Sequence, residues 1–278
     1  MPHNLTRTHI ILFFLTILTT LTAGALHAGV NPLAHPEKLY KGIPFSFTLM
    51  SILMSHELAH YFASRMHHTP ATLPYFIPAP SIIGTFGAFI KMRPPIFERR
   101  SLIDIGASGP IAGFIVALIA VIIGLKLSDV RPAGTVISSY YLGSSILFNM
   151  LIKVVLSIDP DTHEIILHPV AFAGWIGFFI TSINLLPIGQ LDGGHIAYAI
   201  SNRLHRIISI LLIPILLILG FSRWSGWVVW ALLMMLLGTN HPPVVYPERP
   251  LDGRRKLIGL LCFIIFILTF TPTPFGIR

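Results

Sequence analysis

The sequence predicts an all-α polytopic membrane protein of six to seven transmembrane helices, with a membrane-embedded, β-hairpin-like re-entrant loop after the second. Three observations lead there. Of 278 residues, 54% are hydrophobic and 11% charged, whereas an ordinary soluble domain carries about 25% charged residues. The apolar residues gather in long runs, several near the ~20 residues that one helical crossing needs. One Pro- and Gly-rich stretch is apolar enough to enter a bilayer yet too broken to cross it as a helix. No Gly-X-Y or heptad period marks a fibrous protein, and the Leu, Ile, Phe and Val content excludes disorder.

The first run covers residues 10–25. Arg7 precedes it and Ala23-Gly24-Ala25 resembles a cleavage site, so a signal peptide is one reading and a retained first helix the preferred one. The second run is 43–62. The segment 69–100 follows, with Leu73-Pro74-Tyr75-Phe76-Ile77-Pro78 and then Gly84-Thr85-Phe86-Gly87-Ala88-Phe89-Ile90. Irregular backbone survives at membrane depth only when buried in protein or lining a wet cavity; a surface hairpin is the alternative. Further runs are 102–125, 170–186, 207–221, 227–237 and 257–270. Two of the runs are short for a span, hence six to seven. Residues 142–156 form a weaker run, interrupted by Asn149 and Lys153. Residues 240–256 are Pro-rich and read as an extended loop. With no repeat or linker, a single domain over 1–278 without a soluble part is expected.

The net charge is +8, but the 19 Lys and Arg stand singly or in twos and threes at the ends of apolar runs. That is a topology signal rather than a nucleic-acid groove, which would concentrate charge; no nucleic-acid partner is expected. The lone cysteine, Cys262, permits neither a disulfide framework nor a Cys-rich zinc module.

Charged groups inside a span are costly, so each is a functional hypothesis. The one Glu deep within an apolar run is Glu57, in Ser55-His56-Glu57-Leu58-Ala59-His60. On a helix, His56 and His60 share a face and both can reach one ion. Glu57, one step round, is placed to take a proton from a water activated at that ion. A catalytic zinc usually has three protein ligands and an open position. Of the six aspartates, Asp192 stands out: it follows a long apolar run, and Pro187, Gly189, Gly193 and Gly194 around it break the helix. A broken helix lets a carboxylate turn inward. If 142–156 does not span, one outward and one return helix separate the His pair from Asp192, and both lie on one membrane face. That weak segment should therefore be re-entrant or peripheral. With seven spans, the face bearing Arg65 and Arg249 carries 12 of the 19 Lys and Arg, which predicts that it is cytoplasmic.

On these residues the sequence resembles the site-2 protease family of intramembrane zinc metalloproteases. The resemblance rests on H-E-L-A-H at 56–60, N-L-L-P-I-G-Q-L-D-G at 184–193, G-P-I-A-G at 109–113 and the Gly84/Gly87 segment. It implies one zinc per chain, bound by His56, His60 and Asp192, with Glu57 as general base. It implies a transmembrane protein as substrate, within a lipid bilayer, and a role for Asn184 in orienting the substrate backbone. Residues 84–93, with Gly84 and Gly87, resemble the family's membrane-inserted β-loop, thought to pair with the unwound substrate. The longest spacers leave no room for the PDZ or nucleotide-sensing modules of many relatives, so the chain resembles the minimal branch, without PDZ or CBS domain.

Other residues invite plainer readings. His195 either supports Asp192 or is a polar helix-start residue. His67 and His68 read as interfacial and His241 as shaping a loop. Gly109 and Gly113 read as helix packing, and Trp224, Trp227 and Trp230 as a membrane belt. Two other functions stay open: a divalent-metal transporter using the same His56, His60 and Asp192, and a catalytically dead scaffold. A compact, Cys-poor chain without an obvious transit peptide fits a bacterial plasma membrane best, with the site toward the cytoplasm.

Overall fold

The computed structural model describes residues 6–92, 96, 98–132, 134, 140–159 and 162–277. In chain order these form α1 (Arg7–His27), a 3-10 turn (Pro36–Gly42), α2 (Ile43–Met66), β1 (Tyr75–Pro78), β2 (Thr85–Phe89), α3 (Arg99–Lys126), β3 (Asp129–Pro132) and β4 (Tyr140–Leu142). There follow α4 (Ile146–Leu156), β5 (His163–Ile166), α5 (Pro169–Asn184), α6 (Asp192–Ile200), α7 (Asn202–Ser222), α8 (Gly226–Leu237), α9 (Gly253–Thr269) and β6 (Phe275–Ile277). Local chemistry sets several ends. Pro44 opens α2, where its missing N–H costs nothing. Ser201 and Asp252 cap α7 and α9, accepting from Leu204 N and Arg255 N. Gly238, at φ 90°, closes α8.

Among the described residues, three helices are long and apolar enough to cross a membrane: α1, α3 and α7, of 21, 28 and 21 residues. Along α3, Ile115, Ile119 and Ile123 repeat at one-turn spacing and are each about half exposed; a lipid-facing stripe explains what water would not tolerate. The chain is an integral membrane protein. The α2 helix is long enough at 24 residues, but Ser, His56, Glu57 and His60 dilute its apolar character. The α9 helix has 17 residues and α4 only 11, about 16 Å, well short of a ~30 Å hydrocarbon core.

The chain is mostly helical, as expected of an all-α membrane protein with one hairpin-like loop, and among the described residues three two-stranded antiparallel ribbons accompany the helices: β1–β2, β3–β5 and β4–β6. Only the first was anticipated. Its register pairs Tyr75 with Phe89 and Phe76 with Ala88, then slips before Pro78 meets Thr85. Arg93, the far end of the expected β-loop, lies outside the described residues. The Pro-rich loop is irregular to Asp252, after which 253–256 belong to α9.

The chain divides into two compact units. The first comprises Met1–Pro94, Ala112–Thr135 and Leu151–Phe178. Its core is a small-residue seam in which α2, α3 and α5 approach closely: a Cβ at Gly174 would lie 2.8 Å from Val121 Cγ2, and one at Gly177 2.7 Å from Ala117 Cβ. The Ala23-Gly24-Ala25 run is buried there, which gives those small residues a packing reason. The second unit comprises Pro95–Ile111, Val136–Met150 and Phe179–Arg278. Phe179, Ile183, Leu186, Ile188, Leu216 and Trp227 pack together in its core. Trp227 is therefore no belt residue: it is fully buried and donates its indole N–H to Pro272 O at 2.8 Å.

Candidate active site

In the first unit α2 carries the histidine pair. Polar side chains inside an apolar helix need partners, and the hydroxyls of Ser51 and Ser55 find them in the carbonyls of Phe47 and Ser51 at 2.7 and 2.5 Å. One turn apart, His56 and His60 turn their Nε2 atoms toward each other, 3.0 Å apart, with ring planes at 70°. Both are buried, as is Glu57 between them, each about 5–6% exposed. Two nitrogens held 2.0–2.1 Å from a tetrahedral zinc stand about 3.3–3.4 Å apart. The observed separation is within a few tenths of an ångström of that, so the pair fits the metal.

Packed closely against His56 is Gly113, from the G-P-I-A-G run on α3. A Cβ there would lie 3.1 Å from His56 Nδ1 and 3.3 Å from its Cβ. The expected packing role of Gly113 thus holds, and its neighbour is the first metal-ligand candidate.

The second unit carries Asn184 and Asp192. Asn184 is the last residue of α5, half-buried. A tight turn follows, with Leu191 N donating to Ile188 O, and Asp192 opens α6, where the helix dipole favours a carboxylate. Glycine is required next. A Cβ at Gly193 would lie 2.0 Å from Leu185 O, so the first turn of α6 presses on the end of α5. On the other side, a Cβ at Gly106 of α3 would lie 2.9 Å from His195 Cβ and 3.2 Å from Asp192 O.

Polar groups fasten the same segment at both ends. From α7, His205 Nε2–H donates to Gly189 O at 3.0 Å, and Ser209 Oγ accepts from Gly189 N at 3.3 Å. At the far end of α6, the Arg99 guanidinium donates to the carbonyls of Ala199 and Ile200, a cation at the negative end of a helix. Between them, His195 Nδ1 and His241 Nε2 are 2.6 Å apart, and His241 stacks on Tyr198 with ring centroids 4.2 Å apart. Burial pushes the His241 imidazole down to about 4, partly opposed by its bond to Pro242 O and helped by the nearby His205.

Gly84 and Gly87 differ. Gly84 is buried at φ 82°, where a Cβ would lie 2.6 Å from Thr19 O, so it seats the hairpin against α1. Gly87, at φ 99°, has open space around it. The exposed Phe86 lies between them.

Sequence reasoning missed His205, Ser209 and Arg99 and assigned His241 only to a loop. His205 and Ser209 did leave a signal, a polar i, i+4 pair at the head of a helix that turns apolar beyond them. Arg99 and His241 left none, because their partners lie 100 and 46 residues away.

Comparison with known proteins agrees with the chemistry. A model of the family described as Peptidase family M50 matches residues 44–220. The chain is 28% identical over 245 residues to "Probable zinc metalloprotease EGY2, chloroplastic" of Arabidopsis thaliana, covering 86% of this chain and 43% of that protein. It is 30% identical over 246 residues to the protein of that name in Oryza sativa subsp. japonica, covering 86% and 44%. To "Probable zinc metalloprotease EGY1, chloroplastic" of Arabidopsis thaliana it is 26% identical over 237 residues, covering 83% and 43%. The chain thus spans less than half the length of these relatives. No solved structure matches it.

Proposed function

The chain belongs to Peptidase family M50, the site-2 proteases, and from that membership we propose that it is a zinc endopeptidase that cleaves a peptide bond in or near a transmembrane helix of another membrane protein. The observation that carries the reading is the close approach of His56 Nε2 and His60 Nε2 in a buried stretch of α2 that also holds Glu57. His56, His60 and Asp192 would hold the zinc, the third ligand following from the need for three protein ligands and from the helix break at Asp192. When bound, zinc supplies a water of pKa near 7 and a polarised carbonyl.

The remaining steps fall to side chains. Glu57 takes a proton from the attacking water and returns it to the leaving amine. Asn184 orients the substrate backbone. The β1–β2 hairpin, with its Gly84 and Gly87, pairs with the locally unwound substrate, replacing hydrogen bonds that the helix gave up. The finer architecture belongs to the same proposal: one domain over 1–278, six to seven crossings, the hairpin re-entering the bilayer, and the site near the face with the excess of Lys and Arg. The relatives are named as chloroplastic, so they lend no support to a bacterial plasma membrane.

The test is cleavage of a single-span substrate in proteoliposomes. Glu57→Gln should lower the rate by about 10²–10⁴-fold while zinc stays bound. Undiminished cleavage by that variant would overturn the role of Glu57.

A further inference from the structure

The polar cluster behind α6 has a defined hydrogen-bond direction. His241 Nδ1 lies 2.6 Å from Pro242 O, and a carbonyl can only accept, so the proton is on Nδ1. Burial keeps His241 neutral at neutral pH, held at about 4, so its Nε2 carries a lone pair. The 2.6 Å bond to His195 must then run from His195 Nδ1–H to His241 Nε2. A neutral His195 is thereby fixed in one tautomer, with Nε2 as its basic nitrogen. His195 is itself buried, at 6% exposure, and lies on the first turn of α6, three residues after Asp192 and on the same helix face. The stack of His241 on Tyr198 ties the same loop to the next turn of α6.

We propose that His241 is a positioning residue for the metal site: by accepting from His195 it fixes the tautomer and orientation of that imidazole and the pose of the first turn of α6, and so the direction of the Asp192 carboxylate. The inference rests on the reading of Asp192 as a zinc ligand. Outer groups that orient a metal ligand commonly govern its affinity, and a loop histidine that acts on the helix turn carrying the ligand, without binding metal or touching the reacting atoms, can act in this way.

Two substitutions separate the hydrogen bond from the stack. His241→Phe keeps a ring against Tyr198 but removes the acceptor; His241→Gln removes the ring but offers an acceptor oxygen. Zinc affinity, measured by competition with a chelator on the full chain in detergent, should fall about 10- to 100-fold in the Phe variant and return to within about threefold of wild type in the Gln variant. In an Asp192→Asn background the Phe substitution should add little, since both act through one ligand. Nitrogen NMR of the wild-type histidines should show His195 protonated at Nδ1, a signature that holds even where a variant fails to fold. Wild-type affinity in the Phe variant, full additivity with Asp192→Asn, or a His195 protonated only at Nε2 would each overturn the proposal. Unchanged zinc binding in Asp192→Asn alone would instead remove the third ligand from the proposed function, leaving the tautomer assignment to the NMR result.

Discussion

The histidine pair of α2 depends on its one-turn spacing and on the small residue packed against it. His56 and His60 must share a face of any helix that contains them, and they do, with Nε2 atoms 3.0 Å apart. Hidden from the sequence is what holds each chemical group in place. G-P-I-A-G reads as packing, but nothing in it names His56 as the neighbour. That neighbour makes a prediction: Gly113→Ala puts a methyl 3.1 Å from His56 Nδ1, an overpacking of the kind that costs about 1–3 kcal/mol. Because the strain falls on a ligand candidate, zinc affinity should drop about tenfold or more. Gly253→Ala, with nothing within 4 Å of its Cβ, serves as the control and should bind zinc as wild type does. Equal affinities in the two variants would show that Gly113 does not set the His56 position.

For elements, the long helices could be read from the apolar runs, whereas the ribbons could not. Strands β3, β4, β5 and β6 have three or four residues each, and β4 finds its partner more than 130 residues away. No alternation of apolar and polar residues can register over so short a stretch. The weak run at 142–156 illustrates the intermediate case. Asn149 and Lys153 argued against a crossing, and α4 spans only 146–156. Single cysteines introduced at Ser128 and Ser157, in a Cys262→Ser background, should therefore react with an impermeant maleimide from the same side of sealed vesicles. Labelling from opposite sides would mean that the segment crosses, and the two halves of the zinc motif could not then share a membrane face.

At the scale of the whole molecule, composition fixed the solvent: a chain with 11% charged residues and stripes of exposed isoleucine belongs in lipid. It could not foretell how stability responds to pH, because that depends on which histidines are buried. His241 ordinarily titrates at 6.5 and is held near 4 in the fold. The unfolded chain therefore takes up its proton first, and the contribution of this group is full above pH 6.5 and lost as pH falls toward 4. Asp252, held low chiefly by the backbone N–H of Arg255, acts only at more acid pH, below its ordinary 3.8. Thermal unfolding in detergent should show midpoints that are level above pH 6.5 and decline between 6.5 and 4, with the decline reduced in His241→Gln. An identical decline in that variant would assign the effect to other groups.

A zinc held jointly by His56, His60 and Asp192, as proposed, would show in the metal content of the purified chain. Detergent-purified wild type, His56→Ala and Asp192→Asn are dialysed and their zinc is counted per chain. About one zinc is expected in the wild type, and weakened or lost zinc in both well-folded variants. Zinc retained in full by Asp192→Asn, or absent from the wild type even when supplied, would contradict it.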